Sequence, residues 1–203
     1  MVVNETINAT AVVNATITEL TFDRFMELVT APYHFSALLW ITIPLIVALI
    51  LMDIYFGRYK KEELGWNTAV GNTLALVFVA MDLFRQVWSR LAEPSFWNLI
   101  AGHFRETMVI VVLALGSLWL FIADFLHILP KKLAFFISSS VPTSVFAYTA
   151  IVLIYTDIPL DKYTLLASVV LFFVLLIALK IIQFLIPTYY SKEEVKKMLK
   201  KSR

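Results

Sequence analysis

One face of the segment 66–88 carries hydrogen-bonding and ionisable side chains at regular intervals. Its members are spaced alternately four and three residues apart, so a helix places them along one line. Polar groups in an apolar helix are costly unless they face protein or water, and they often mark the path of an ion or solute. The residues of this polar stripe are Thr68, Asn72, Ala75, Val79, Asp82 and Gln86.

Two opposite charges lie at similar distances from the ends of their apolar segments. Asp124 and Lys180 each fall sixteen or seventeen residues from one end, which places them at the same depth in a helix bundle. A matched pair costs far less in an apolar environment than two isolated charges. We therefore predict that Asp124 pairs with Lys180 if their helices are neighbours. Asp82 and Arg85, three residues apart, are expected to neutralise each other.

The sequence FISSSVPTSVF, residues 136–146, puts hydroxyl groups and a proline inside another apolar segment. The ring of Pro142 displaces the carbonyl of Ser138 and removes one backbone hydrogen bond, so we predict a kink there. Ser139, Ser140 and Thr143 can satisfy the freed groups. Such a kink is typical of a helix that lines a solute path. Small hydroxyl residues are also typical of close helix packing in membranes, and both interpretations stay open.

The composition indicates which elements position these residues. Of the 203 residues, 60% are hydrophobic and 16% are charged, which is outside the balance of a soluble domain. A spanning helix needs about 20 mostly apolar residues. We predict an all-α integral membrane protein, a bundle of five transmembrane helices with short loops and amphipathic surface helices. The predicted spans are residues 34–56, 66–88, 108–129, 133–155 and 163–186.

Each predicted span contributes a polar group at a similar depth, toward the end where the basic loops lie. A layer of this kind, shared by all spans, makes an internal polar site about as well supported as helix packing. A second polar layer toward the other end would contain Asp82, Arg85, His103 and Glu106. The first layer consists of Asp53, Asn72, Asp124, His127, the serines 138–140 and Lys180.

The distribution of lysine and arginine predicts the orientation. One set of loops carries 11 of these residues and the other set carries 4. Basic loops stay on the cytoplasmic side, so we expect an extracellular N-terminus and a cytoplasmic C-terminus in the cell membrane. Residues 1–33 then form an extracellular tail with an amphipathic helix that breaks at Pro32. Residues 34–186 form the membrane domain, and residues 187–203 form a basic cytoplasmic tail.

The two tails suggest further properties. Asn4, Asn8 and Asn14 each begin a glycan-acceptor sequon, which predicts a glycoprotein. Sequons in a chain without cysteine fit an archaeal cell surface as well as a eukaryotic one. In the C-terminal tail, Ser191 and Glu194 form a capping box before a lysine-rich helix. Its lysines are expected to contact anionic lipids of the bilayer, and we expect no nucleic-acid binding.

One short segment outside the spans also predicts a surface helix. Ser95 follows Pro94 and is a suitable N-cap for a helix with Phe96 and Trp97 in its first turn. The alternative is that this segment extends the third span as one long helix.

The polar layer favours solute passage as the function. We expect a small channel or transporter-like protein that passes an ion or small solute through a polar cavity on the cytoplasmic side. Five spans show no obvious inverted repeat, so a pore requires a homo-oligomer or a very narrow path. The residues expected along this path are Asn72, Asp82, Asp124, Ser139, Ser140, Thr143 and Lys180.

Two other functions use the same residues differently. A non-catalytic structural, accessory or assembly subunit would pair its polar residues with partner membrane subunits. An intramembrane metal or haem enzyme is conceivable because His103 and Glu106 lie three residues apart. The chain has three histidines, no cysteine and no recognisable zinc or glycine-rich motif. We therefore expect no catalytic residue, no cofactor and no metal ligand.

Overall fold

The computed structural model describes residues 2–59 and 65–187, with side chains described from residue 17 onward. These residues form helices and short connections, with no strand in the described ranges, which confirms the all-helical prediction. The helices in chain order are α1 (Val2–His34), α2 (Ser36–Arg58), α3 (Trp66–Trp88), α4 (Phe96–Gly102), α5 (Phe104–Phe125), α6 (Lys131–Ile137), α7 (Ser140–Tyr155) and α8 (Lys162–Leu185).

Four of these helices are long and apolar enough to cross a membrane: α2, α3, α5 and α8. The count becomes five if α6 and α7, which meet at a bend of 41°, are one broken span. The long helices expose large apolar side chains, among them Trp40 (80% exposed), Leu115 (64%) and Phe173 (54%). Outward-facing apolar groups are what helices in lipid present, because lipid tails are as apolar as leucine.

The bundle is built around α7, which packs against α2, α3, α5 and α8. The most extensive pairing joins α3 to α5, and α1 lies mainly against α8. Successive long helices run in opposite directions, so the bundle has two ends. We call them the Trp66 end, where α2, α5 and α8 finish and α3 begins, and the Trp88 end, where α3 and α7 finish. Trp66 packs on His127 near the first end, with ring centroids 4.1 Å apart.

The apolar core lies in the half of the bundle near the Trp88 end. The largest fully buried apolar side chains there include Leu28, Leu83, Val87, Ile151 and Ile154. Burial of such side chains contributes about 1.5–3 kcal/mol each in water, and packing supplies the equivalent contacts in lipid. In the half near the Trp66 end the fully buried residues are small or polar instead. They include Ala69, Thr73, Ser117, Ala123, Asp124 and Ser138.

The predicted break at Pro32 is wrong, because α1 continues through Pro32 to His34 and the chain turns at Phe35. Proline lacks the N–H that would bond the carbonyl four residues earlier, here that of Leu28. Tyr148 of α7 supplies the missing donor, with Oη 2.6 Å from that carbonyl oxygen. The helix therefore tolerates the proline, since another helix satisfies the group that it frees.

The third predicted span, residues 108–129, is also shifted: α5 runs from Phe104 to Phe125. His127 adopts a positive φ of 54°, and the N–H of Ile128 bonds the carbonyl of Ala123 at 2.8 Å. This arrangement is a Schellman motif, which ends a helix. Left-handed backbone costs a non-glycine residue roughly 1–2 kcal/mol, and the ring contact of His127 with Trp66 helps to hold it.

Ser95 caps α4 as predicted, and its side chain accepts a hydrogen bond from the N–H of Trp97 at 3.3 Å. The helix ends at Gly102, so the alternative of one long helix through residue 125 is wrong. His103 lies between the two helices with φ −133°, outside the helical range. Thr107 of α5 bonds the carbonyl of His103 at 2.7 Å, which fixes this corner.

Two arginines close the C-terminal end of α7. Arg90, just after α3, donates from Nη1 to the carbonyl of Ile154 at 3.1 Å. Arg105, near the start of α5, donates to the carbonyls of Leu153 and Thr156 at 3.3 and 3.1 Å. The last carbonyls of a helix lack partners within it, and these guanidinium groups provide them. Arg90 and Arg105, which belong to the less basic of the two sets of loops, thus anchor the central helix.

Asp161 caps α8 at the same end of the bundle. Its Oδ1 accepts hydrogen bonds from the N–H of Thr164 at 2.8 Å and from the Thr164 hydroxyl at 3.1 Å. The backbone hydrogen bond from Thr164 lowers the pKa of Asp161 below its ordinary value of 3.8. Arg24 of α1 lies 3.8 Å from Oδ2, so the cap also connects α1 to α8.

Candidate functional site

The fourth predicted span is broken, and the break differs from the predicted kink. The segment forms α6 up to Ile137 and α7 from Ser140, with Ser138 and Ser139 between them. The prediction placed the distortion at Pro142, but Pro142 lies in the first turn of α7. A proline is tolerated in this turn because its missing N–H would have no partner there. The sequence therefore accommodates Pro142 by starting a new helix before it.

The carbonyl that Pro142 leaves free belongs to Ser138, and a neighbouring helix satisfies it. Asn72 of α3 donates from Nδ2 to this oxygen at 2.8 Å. Sequence reasoning assigned this role to the nearby hydroxyl groups. Two of those bond local carbonyls instead: Ser139 Oγ bonds Phe136 at 2.8 Å, and Thr143 Oγ1 bonds Ser139 at 2.8 Å. The break is thus held both by its own hydroxyls and by the polar stripe of α3.

Ser138 also connects the break to α5. Its Oγ donates to Oδ2 of Asp124 at 2.6 Å, and both residues are fully buried. The other carboxyl oxygen, Oδ1, has no hydrogen-bond partner within the described residues. A buried acceptor without a partner costs about 1–3 kcal/mol. Asn72, Ser138 and Asp124 therefore form one connected polar cluster that joins α3 and α5 to the break.

The predicted pair of Asp124 with Lys180 is wrong. Lys180 donates from Nζ to Oε1 of Gln183 at 3.0 Å, and Gln183 donates from Nε2 to Oδ1 of Asp53 at 2.6 Å. The positive charge is therefore linked to α2 through an amide. Asp53 is 8% exposed, and its Oδ2 has no partner within the described part of the chain. Asp124 and Asp53 each thus present one unbonded buried oxygen.

Two cavities flank the break. The smaller one has a volume of about 130 Å³ and lies between α2, α3 and α7. Its polar wall consists of Asn72, Ser140, Thr143 and Ser144, and Ala75 and Val79 of the predicted stripe complete one side. This volume is enough for a few water molecules or a small ion with part of its hydration.

The larger cavity has a volume of about 620 Å³ and lies between α2, α8 and the start of α7. Ser139, Ser140 and Pro142 form one wall, while Asp53, Lys180 and Gln183 form a polar group beside them. Ser140 borders both cavities, as do Leu49 and Met52, so the two spaces adjoin at the break. The larger cavity therefore borders the break at Ser139, and the smaller one borders the first turn of α7 that follows it.

Most of the predicted path residues gather around these cavities. Asn72, Asp124, Ser139, Ser140, Thr143 and Lys180 lie at the break or line a cavity. Asp82 does not: its Oδ1 lies 2.7 Å from Nη2 of Arg85, with both side chains partly exposed, so this pair neutralises itself as expected. Sequence reasoning did not assign Asp53 to the path and missed Gln183. The spacing of Lys180 and Gln183 by one helical turn was the available signal.

The remaining sequence predictions concern other regions. His103 Nδ1 lies 4.0 Å from Glu106 Oε2, and Arg105 also contacts Glu106 at 3.0 Å. Within residues 17–59 and 65–187, no three histidine or acidic side chains come together to hold a metal ion. The side chains of Asn4, Asn8 and Asn14, and the lysine-rich tail beyond residue 187, lie outside the described residues.

No family model, no curated protein and no solved structure matches the sequence or the fold.

Proposed function

We propose that the chain is an integral membrane protein with five spans, in which α6 and α7 together form the fourth. Support comes from the length and apolar character of the helices and from their outward-facing apolar side chains. The excess of lysine and arginine in the loops at the Trp66 end puts that end in the cytoplasm and the N-terminus outside.

This orientation is testable because the chain contains no cysteine. Two single-cysteine variants are expressed in intact cells. Lys132→Cys lies near the Trp66 end and Ser89→Cys lies near the Trp88 end. A membrane-impermeant maleimide should label Ser89→Cys and leave Lys132→Cys unlabelled until the cells are opened. The reverse pattern would place the Trp66 end outside.

Within this membrane arrangement, the protein gives an ion or small polar solute a path through the cavities around the break. The observation that carries this proposal is irregular backbone at Ser138 and Ser139 in the interior of an apolar bundle, with the larger cavity at Ser139 and the smaller one beside the first turn of α7. Non-helical backbone at membrane depth is stable only where it is buried in protein or lines a water-filled space.

The path is closed toward the Trp88 end. Leu83, Val87, Ile151 and Ile154 are at most 2% exposed and fill the bundle between the cavities and that end. In this proposal the conformation is closed at the Trp88 end, as one state of an alternating-access protein would be. Passage requires that α7 or its neighbours move apart in this core.

Flux into liposomes that contain the purified protein tests the proposal, with a panel of small ions and neutral solutes. Ser144→Phe fills the smaller cavity, and Ala178→Phe makes a comparable change on an exposed face of α8 that lines neither cavity. We expect flux through the wild type and Ala178→Phe, and its loss in Ser144→Phe. Absence of flux from folded wild-type protein, or equal flux in all three, would contradict solute passage.

A second candidate is a non-catalytic subunit of a membrane complex. The observation that favours it is the Asp82–Arg85 pair, which lies on the surface of α3 beside Phe78 (59% exposed) and Met81 (63%). Charges on the outside of a span are costly in lipid and commonly face another helix. In liposomes, a disulfide between two Met81→Cys chains would show that copies of this chain meet there, whereas Trp40→Cys on the exposed face of α2 is the control.

A further inference from the structure

The walls and the polar end of the larger cavity differ sharply in chemistry. Phe136, Phe172, Leu176 and Phe184 form apolar walls, and Phe136 and Phe172 contact each other with ring centroids 6.4 Å apart. Asp53, Gln183 and Lys180 form a polar group at the same cavity. A site with extended apolar walls and localised charges fits a molecule with an apolar tail and a polar head.

We propose that this cavity binds a membrane lipid with a zwitterionic headgroup that carries a primary ammonium and a phosphate. The inference rests on the membrane location proposed above and does not depend on solute passage.

The ammonium is assigned to Asp53. This residue is 92% buried, since its exposed fraction is 8%, and its Oδ2 has no donor within the described residues. Asp53 lines the cavity, and binding requires its side chain to turn so that the unbonded, buried oxygen faces this space. A buried carboxylate oxygen gains most from a charged donor, because such hydrogen bonds are about twice as strong as neutral ones.

The phosphate is assigned to Lys180. Its ammonium has three N–H donors, and the hydrogen bond to Gln183 uses one of them. Gln183 bonds both Lys180 and Asp53, so the two charges are held one amide apart. An aminoethyl phosphate carries both opposite charges in one headgroup, whereas a headgroup without an amine offers Asp53 at most a neutral hydroxyl donor, which forms a weaker bond than an ammonium.

The rim of the cavity and its volume indicate a lipid. Phe136 is 57% exposed and Phe184 is 82% exposed, so the cavity opens at the apolar surface of the bundle near α6 and α8. Lipid chains reach this surface directly. A volume of about 620 Å³ lies within the usual range for ligand pockets, whereas the smaller cavity, at about 130 Å³, cannot hold an acyl chain.

Photolabelling in nanodiscs tests the proposal. The probes are a phosphatidylethanolamine and a phosphatidylglycerol with the same photoreactive acyl chain, each at the same low fraction in a neutral phosphatidylcholine bilayer. In the wild type we expect labelling by the ethanolamine lipid to exceed labelling by the glycerol lipid. Asp53→Asn should lower this preference about tenfold or more, the range expected for a hydrogen bond between charged groups.

A second variant keeps the polar group intact. Leu176→Trp fills the cavity from its apolar wall, and Ile177→Trp makes the same kind of change on the exposed face of α8. We expect Leu176→Trp to remove the labelling of cavity residues and Ile177→Trp to keep it. Equal labelling in these two variants, or equal labelling of the wild type by both lipids, would overturn the proposal.

Ser144→Phe, measured for flux in liposomes and for labelling in nanodiscs, separates this inference from solute passage. Ser144→Phe changes only the smaller cavity, so it should block flux and leave lipid labelling unchanged. Lipid labelling that follows the predicted pattern in a protein without flux would support the lipid site and reject the path. Loss of labelling in Ser144→Phe would contradict the assignment of the lipid to the larger cavity.

Discussion

At the scale of single residues, two prolines share one arrangement. Pro32 and Pro142 each leave a carbonyl without its helical donor, and in each case a side chain from another helix replaces it. Tyr148 bonds the carbonyl of Leu28, and Asn72 bonds that of Ser138. The prolines thereby convert a defect within one helix into a specific contact between two helices. Sequence alone identifies the prolines and not their partners, because the partner lies 66 or 120 residues away.

The first prediction tests the value of this contact. Tyr148→Phe removes only the hydroxyl and leaves the Leu28 carbonyl unpaired, so we expect a loss of about 1–3 kcal/mol in the free energy of unfolding. Tyr155→Phe removes a hydroxyl from the same helix, and we expect a smaller loss from it. Denaturant titration in detergent micelles measures both. Equal effects of the two variants would show that the bond to Leu28 contributes nothing particular.

The second prediction concerns pH and Asp161, which lies outside the spanning segments. Its folded pKa is lowered from 3.8, so its charge stabilises the fold fully above pH 3.8 and this contribution is lost as the pH falls through the folded value. Asp161→Asn keeps a capping side chain without a charge and should remove that part of the acid dependence. Asp161→Ala should cost about 1 kcal/mol at neutral pH.

Melting temperatures between pH 6 and pH 2 in detergent provide the measurement for Asp161. The wild type should lose its advantage over Asp161→Asn only at the acid end of this range. A difference between the two proteins that stays constant down to the lowest pH would show that the carboxylate charge does not contribute through the cap.

At the scale of elements, the sequence predicts where a helix begins and ends better than it predicts which helices pack against each other. α3 begins and ends at the predicted residues, because Trp66 and Trp88 bound a clear apolar segment. Asp124 and Lys180 were placed at one depth, but depth does not give the direction in which a side chain points around the bundle. α7 contacts both α5 and α8, while α5 packs mainly on α3 and α8 on α1 and α2. Whether Asp124 can pair with Lys180 therefore depends on which helices are neighbours, and a single sequence does not reveal this.

The break in the fourth span illustrates a second limit. The proline and the three serines signal a distortion, but a kink and a full break have the same sequence signature. What distinguishes them is whether another helix supplies a donor to the freed carbonyl of Ser138. Asn72 does so, and it was assigned to the same path for a different reason, its position in the polar stripe.

The third prediction separates the two causes of the break. Pro142→Ala restores the N–H donor, but Asn72 still competes for the Ser138 carbonyl, so the bend of 41° should persist. In the double variant Pro142→Ala/Asn72→Leu, the carbonyl of Ser138 can find a hydrogen-bond donor only within a continuous helix. Spin labels at Lys132→Cys and Asp157→Cys should then move apart by roughly 2 Å, the amount expected when a bend of 41° straightens at a helical rise of about 1.5 Å per residue.

Pulsed electron resonance measures this distance in nanodiscs. Asn72→Leu alone is the control, because the proline still prevents a continuous helix. If Pro142→Ala alone lengthened the distance, the proline would be sufficient to explain the break. If the double variant left it unchanged, the break would depend on the bond between Ser138 and Asp124 instead.

At the scale of the whole molecule, the bundle has a tightly packed half and an open half. The apolar core and the arginine-capped end of α7 lie near the Trp88 end, while both cavities lie toward the Trp66 end. Local stability follows the density of buried contacts. The open half is thus suited to binding and the packed half to holding the fold together.

The fourth prediction follows from this division. The last two turns of α7, residues 148–154, are mostly buried, whereas those of α8, residues 179–185, are mostly exposed. Both lie near an end of the bundle, so their distance from bulk water is similar. Amide hydrogen exchange in nanodiscs should be at least tenfold slower in α7, a factor that corresponds to about 1.4 kcal/mol of opening free energy. Equal exchange rates in the two helices would show that the surrounding lipid, and not packing within the bundle, protects their amides from exchange.

The two ends of α7 differ electrically as a result of its position. Aligned peptide dipoles give a helix about half a positive elementary charge at its N-terminus and half a negative charge at its C-terminus. The N-terminal end at Ser140 borders both cavities, while Arg90 and Arg105 compensate the opposite end. The cavities therefore experience a positive potential from the backbone itself. Unlike the charge of a side chain, this potential does not titrate, so any solute or headgroup at the break meets it at every pH.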